Sequence, residues 1–499
     1  MIAFGRTRSS VSDSVRPEAD IGLVPRRGWP ALPASDKFIP WRRGANAVPG
    51  ASESHGKLLR VLGLAFGLAA VVGSMVGQGI LRTPGIVAGA VHSPELILLL
   101  WVAGAFVVAV SAVAYVELGT AIPCAGGPYD FVRRAFGNLT GVATGWTCWL
   151  VMILATGYLA IVVAEYLHRL GVWPEVSTNL IAVGVIALFW AVNWTGTRFS
   201  GASQILFSTA KGVILIAFVV LLFAQPGRSV EPTEIEGVVG IAAFAVAMRV
   251  IINTYSGWQD AVYFCEELER PERTLPRSMA IGVSAVALLY LLINLALLHV
   301  LTPAQMASSN LPGADAAQVA LGAGGEFAFT LFGVLSVAAI TNLVIMKAAR
   351  VAFALAREGH LPIALNRVSA SGTPRWALTT NVLLSAAFAA TGTYETIIAI
   401  QVPLHVAVFL AVNAAAIRLR QKEPDLRRSF RIPLYPIPVV IAIAINAALL
   451  AALVYENPLH SLAGFGLLAA IAAIYWLIGR GRTASSREPV EVQFPARSD

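Results

Sequence analysis

The chain has 499 residues, 57% hydrophobic and only 13% charged, against about 25% charged in an ordinary soluble domain. This balance excludes a water-soluble globular domain and specifies a polytopic membrane protein. A formal net charge of +8 would suit acidic partners such as nucleic acid, so the placement of the basic residues decides what it means.

Residues 1–55 are rich in Arg, Ser, Pro and Gly without apolar periodicity and read as a disordered tail. The start, Met1 to Arg8, lacks the apolar core of a cleavable signal. Apolar segments then fall near 61–90, 94–121, 138–166, 179–195, 199–223, 238–265, 278–301, 326–356, 376–392, 396–417, 434–455 and 460–478. Most approach or exceed the roughly 20 residues that a bilayer core requires, so twelve spans are expected. Three cysteines, Cys124, Cys148 and Cys265, lie in or beside these segments and form neither a disulfide framework nor a metal-ligand spacing.

With the N-terminus cytoplasmic and the spans alternating, 31 of the 36 Lys and Arg residues fall on the inner side. That tally places Lys347, Arg350 and Arg357 in an inner cluster, and Arg169 and Arg228 outside. The basic excess is thus a topology signal in the sense of the positive-inside rule, and no nucleic-acid partner is expected. Arg82, Lys211 and Arg249 fall within spans.

The first span is interrupted by Gly73-Ser74-Met75-Val76-Gly77-Gln78-Gly79-Ile80. Glycine costs a helix interior about 1 kcal/mol relative to alanine, and backbone groups freed by a break in lipid need other partners. The sixth span carries a matching interruption, Asn253-Thr254-Tyr255-Ser256-Gly257-Trp258-Gln259-Asp260. Broken helices at corresponding places in two halves point to an inverted-repeat transporter site near the midplane. The outer half of the first span, starting near Gly79, would offer N–H groups and a positive dipole end to a carboxylate. The inner half, ending near Met75, would offer carbonyls to an ammonium group. The sixth span would add carbonyls near Asn253 and N–H groups near Gly257, and a zwitterion such as an amino acid suits this arrangement.

These glycine-rich residues resemble the signature of the amino acid/polyamine/organocation (APC) superfamily. Four further stretches are similar to that family in the same order: Glu117 to Pro123 with Gly126-Gly127-Pro128-Tyr129; Tyr255 to Trp258; Glu266 to Pro276; and Ala356 to Pro362 followed by Thr373-Pro374. The resemblance implies an all-α LeuT-type fold with 5+5 inverted repeats and twelve transmembrane helices, of which helices 1 and 6 are broken. Repeat one would cover about 61–223 and repeat two about 238–417, with two more helices over about 434–478. A transporter domain over 56–478 would be followed by a cytoplasmic tail over 479–499. It also implies a multi-pass permease of the plasma membrane with both termini cytoplasmic.

Carried over by position, the resemblance puts a substrate carboxylate on Gly77, Gln78 and Gly79, and its amino group against carbonyls at Met75, Asn253 and Ser256. Gln78 stands where relatives usually have a small residue, and Asn253 where many have an aromatic gate, a role that Tyr255 or Trp258 would then take over. Gly257 completes the substrate-binding set.

Intramembrane charges bear on coupling. Lys211 lies about twelve residues, roughly 18 Å, from either end of the fifth span, too far to snorkel. It must pair, bind carbonyls or lose its proton. In several relatives a lysine there occupies a sodium position of related symporters, which implies sodium-independent, proton-coupled symport or exchange with Lys211 as strut or proton carrier. Arg82 and Arg249 flank the breaks and would form a vestibule that attracts anionic substrates, unless Arg82 snorkels to the outer interface and Arg249 pairs with an acid such as Glu165. Glu117, near the inner end of the second span, reads as a solvated or gate-forming carboxylate. His299 and His405 each stand alone and read as core residues.

Neither an HExxH nor a GxSxG pattern supports an enzyme, and no cofactor or metal is expected. The partners are a small-molecule amino acid and membrane lipid, with the chain a monomer or homodimer; the sequence does not identify an accessory subunit. An amine or polyamine transporter or antiporter of the same fold is the alternative, and would need acids near the site, where only Asp260 is close. A non-transporting scaffold or receptor is the rival from another class.

Overall fold

Proline and small hydroxylated residues mark where the helices begin. Ser93 accepts a hydrogen bond from the Leu96 N–H at 3.3 Å with Pro94 in the first helical position. Thr302 and Gln305 form a reciprocal capping box ahead of Pro303. Each such cap satisfies backbone donors that a helix start leaves unbonded. The computed structural model describes residues 54–55, 58–227, 240–309, 311–456 and 458–479. Of the tail expected over 1–55, all but Ser54 and His55 lies outside the described residues, as does the tail expected over 479–499 beyond Gly479.

A two-residue strand, β1 (Ser54–His55), pairs antiparallel with β2 (Arg367–Val368). The helices of the first part are α1 (Leu64–Met75), α2 (Gln78–Val91), α3 (Pro94–Ala121), α4 (Pro128–Phe136), α5 (Asn138–Arg169), α6 (Thr178–Trp194) and α7 (Thr197–Phe223). The second part supplies α8 (Ile241–Thr254), a 3-10 turn (Trp258–Phe264), α9 (Pro271–Val300), α10 (Pro303–Ser308), α11 (Pro312–Leu321) and α12 (Gly325–Arg357). Then come α13 (Arg375–Thr391), α14 (Tyr394–Lys422), α15 (Ile437–Glu456) and α16 (Pro458–Gly479).

Among the described residues, seven helices are long and apolar enough to cross a membrane, and α1 with α2, bent by 41°, makes an eighth. Each of the twelve apolar segments coincides with one helix, or with a helix and its continuation across a break. The short helices α4, α10 and α11 were not anticipated because they fall between the apolar runs. In α4, Tyr129, Phe131 and Val132 are buried while Arg133 and Arg134 are not, an amphipathic pattern rather than an apolar one.

The most enclosed span is α5, which packs against α12 and α14, and α1 lies against α7, α9 and the Trp258–Phe264 turn. The residues just before α1 and those just after the 3-10 turn are stitched by backbone. The N–H groups of Val61 and Leu62 donate to the Glu267 carbonyl at 3.1 and 3.0 Å, and the Glu269 N–H returns to the Leu62 carbonyl at 3.0 Å.

One expectation is corrected here. Lys347 and Arg350 are not charges of an inner loop, since both lie within α12, buried and paired. An apolar helix that runs on to Arg357 carries them into the protein, where their charge is met by carboxylates instead of solvent.

Candidate functional site

The first interruption opens where α1 stops. Met75 is its last residue, Val76 is extended (φ −74°, ψ 95°), and α2 starts at Gln78. The carbonyls released at this end have taken protein partners. The Lys211 ammonium, on α7 and fully buried, donates to the Gly73 and Val76 carbonyls. Ser336 Oγ adds a bond to the Val76 carbonyl at 3.1 Å. The Tyr290 hydroxyl donates to the Met75 carbonyl at 2.6 Å and stands 3.3 Å from the Thr254 carbonyl, so it links the ends of α1 and α8. The Met75 carbonyl keeps a second lone pair beyond its bond to Tyr290. The first turn of α2 presents the N–H groups that a helix start leaves unbonded, with Gly77 and Gly79 in a cavity wall. The Gln78 side chain lies outside what the structure describes.

At the second interruption α8 ends at Thr254, and the chain turns through Gly257, whose φ of 114° favours glycine. It resumes as a 3-10 turn rather than an α-helix. The Gly257 N–H, expected to face a ligand, donates instead to Gln259 Oε1 at 3.2 Å. Gln259 Nε2 in turn lies 3.1 Å from His405 Nε2. A β-carbon at Gly257 would come within 2.7 Å of the Ser74 carbonyl carbon, so the absence of a side chain lets the breaks touch.

A buried ion pair lies beside this contact. Lys347 Nζ donates to Asp260 Oδ1 and Oδ2 at 2.6 and 2.7 Å, and Ser74 Oγ donates to Oδ2 at 2.6 Å. One carboxylate thereby ties α1, the 3-10 turn and α12 together. Because Lys347 neutralises it, Asp260 is not the uncompensated acid that an amine substrate would need.

These groups line a cavity of about 1080 Å³ that holds Ser74, Met75, Gly77 and Gly79 on one side and Asn253, Ser256 and Gly257 on the other. It extends past Arg82, Arg249 and Glu165 to Arg169, at the exposed end of α5. The arginines expected to make a cationic vestibule therefore share their wall with an acid. His405 also lines the cavity, with its ring nitrogen engaged by Gln259. His299 does not, and its ring hydrogen bonds to the Gln225 carbonyl at 3.0 Å.

Tyr255 and Trp258 are absent from the cavity wall. The Tyr255 hydroxyl donates to the Trp101 carbonyl at 3.2 Å and its ring packs on Trp101 and Tyr290. Trp258 stacks on Phe409 and meets Tyr115 edge-on. Both brace the second break from behind.

The opposite end of the molecule is closed by ion pairs. Arg350 holds Glu267 through two bonds of 2.7 and 2.9 Å, Arg357 reaches Glu266 at 2.8 Å, and Arg133 meets Glu358. Of the two readings of Glu117, the solvated one is corrected: the carboxylate is fully buried and receives Arg420 at 2.5 and 2.9 Å, Arg428 at 3.2 Å and the Ile432 N–H at 2.7 Å. The apolar helix α3 carries it inward, where the arginines satisfy it. Just beyond α14, hydrogen bonds from Arg134 hold the Glu423 carboxyl below its ordinary range.

Sequence reasoning missed Tyr290, Lys347 and Ser336. For Lys347 a signal was present, a lysine ten residues inside an apolar helix; for the other two the pairing partner is remote in sequence and leaves no local pattern.

A family model described as amino acid permease matches residues 62–478. The chain is similar to the serine/threonine exchanger SteT of Bacillus subtilis (strain 168), 25% identical over 398 residues, or 79% of this chain and 90% of that protein. It is similar to the large neutral amino acids transporter small subunit 2 of Rattus norvegicus, 28% identical over 456 residues, covering 87% and 84%. The b(0,+)-type amino acid transporter 1 of Mus musculus is 26% identical over 417 residues, covering 80% and 84%.

Proposed function

Since the chain belongs to the amino acid permease family of the APC superfamily, we propose that it carries an amino acid across the membrane by alternating access, without sodium, through proton-coupled symport or exchange. The twelve-span, 5+5 arrangement with cytoplasmic termini is part of this reading. In that orientation the cavity ending at Arg169 faces outward, and the ion pairs around Glu267, Glu266 and Glu117 close the inner face.

The observation that carries the sodium-independent reading is Lys211. Its ammonium takes the Gly73 and Val76 carbonyls at the end of α1, the oxygens that a small cation would otherwise use. The start of α2, with Gly77 and Gly79 in the wall of the cavity, leaves N–H groups unbonded that suit the carboxylate of an amino acid. The neutralised Asp260 favours an amino acid over an amine. A relative named as an exchanger supports including exchange beside symport.

Purified protein in liposomes tests the reading. Uptake of labelled amino acids should not respond to sodium, and should respond to a proton gradient or to unlabelled amino acid loaded inside. A strict sodium requirement would overturn it, as would amines outcompeting every amino acid.

A further inference from the structure

The Asp260–Lys347 pair sits in the cavity wall, and neither the carboxylate cradle nor Lys211 involves it. Both residues are enclosed, at 1% and 8% exposure, yet both line the cavity. Their hydrogen-bonding capacity can be counted. An ammonium has three donors, and two go to Asp260 Oδ1 and Oδ2. A carboxylate has about four acceptor sites, of which Lys347 takes two and Ser74 one. One donor and one acceptor of the pair remain.

The surroundings add little to this count. Gln259 is engaged with Gly257 and His405. The Tyr263 ring centroid lies 6.0 Å from Lys347 Nζ, at the outer limit of a cation–π contact. Val151, Met152, Val344 and Phe409 are apolar members of the same cavity wall. The pair is neutral as a unit, so a charged side chain of either sign finds no uncompensated partner. An apolar side chain would leave the remaining donor and acceptor unmet, a cost that buried polar groups impose on ligands lacking the matching atoms.

We propose that Asp260 and Lys347 form a side-chain subsite for amino acids ending in a neutral group with one donor and one acceptor, a carboxamide or a hydroxyl. The proposal rests on the amino acid transport reading and specifies the substrate class of that same cavity.

The test uses the full-length protein in detergent and in liposomes, with glutamine, methionine and glutamate as probes of nearly equal size. Glutamine should compete for uptake, and raise the thermal unfolding midpoint, at a concentration at least about tenfold lower than methionine or glutamate. Asp260→Asn leaves the Lys347 charge uncompensated, so glutamate should gain on glutamine by about tenfold or more. The paired replacement Asp260→Leu with Lys347→Met should remove the preference for glutamine over methionine. Methionine matching glutamine in the native protein would overturn the proposal. Glutamate outranking both would also overturn it and assign selectivity to Arg82 and Arg249. If the paired variant does not fold, the native ranking and the Asp260→Asn shift still decide. Binding and uptake of none of the amino acids would defeat the transport reading itself, whereas uptake with an apolar preference would defeat only the subsite.

Discussion

Gly257 and Ser74 meet backbone to backbone, one at the turn of the second interrupted span and the other in the last turn of α1. A β-carbon at position 257 would fall 2.7 Å from both the carbonyl carbon and the β-carbon of Ser74. Gly257→Ala therefore forces the breaks apart and also places a side chain at a φ of 114°. A left-handed residue alone costs about 1–2 kcal/mol. The variant should unfold at a lower temperature in detergent and lose at least about tenfold in initial uptake rate. Native-like uptake would show that the contact is not needed for transport.

Lys211 should separate binding from coupling. Lys211→Ala removes the donor shared by the Gly73 and Val76 carbonyls but leaves the N–H groups of α2 in place. Substrate binding, followed by thermal shift, should stay measurable within about tenfold, while the pH dependence of uptake disappears. Uptake that still follows an imposed proton gradient would leave Lys211 as a strut and move the proton elsewhere.

The Glu117–Arg420 pair joins α3 to α14 at the closed end. Glu117→Gln keeps the shape but removes the charge that Arg420 and the Ile432 N–H meet. Loss of a charge-assisted pair with one fully buried partner costs about 2–3 kcal/mol. Detergent denaturation should detect it, and Arg420→Gln should add less to Glu117→Gln than it costs alone, because both remove the Arg420–Glu117 bond, while Glu117→Gln also strips Arg428 of its partner and Arg420→Gln gives up the Tyr435 ring.

Glu423 gives a pH signature at the surface. Arg134 holds its folded-state pKa below the ordinary 4.5, so the unfolded chain binds a proton more readily. The pair's contribution is complete above about pH 4.5 and is lost as pH falls through the lower, folded value. Glu423→Gln should flatten this part of the acid limb of thermal stability and leave the midpoint near pH 7 only slightly lower. An unchanged acid limb would assign the dependence to other carboxylates.

The spans and interruptions were legible because each is written locally. A run of apolar residues has no other stable place, and the glycines of 73–79 and Gly257 disturb it at the positions where α1 and α8 end. Lys211 stood out for the same reason. Lys347 carried an equal signal, ten residues or about 15 Å before Arg357 in α12. It was grouped with the basic residues that follow, although a side chain cannot reach that far. What could not be read was direction. After Gly257 the chain rewinds as a 3-10 turn, with three residues per turn instead of 3.6. Faces inferred for a continuous α-helix no longer apply, which is why Trp258 packs on Phe409 while Asp260 borders the cavity. Pairing across distant elements, as in Tyr290 with Met75, leaves no trace in spacing.

The backbone bonds from Val61 and Leu62 to Glu267, returned by Glu269 to Leu62, restrict how this molecule can rearrange. A lever welded to its neighbour cannot be pulled alone: any tilt of the lower half of the first interrupted span drags the chain after the 3-10 turn with it. If that face opens, the joined piece would have to swing as one, held back together by Arg350 and Arg357 through Glu267 and Glu266, rather than unlatch as separate doors.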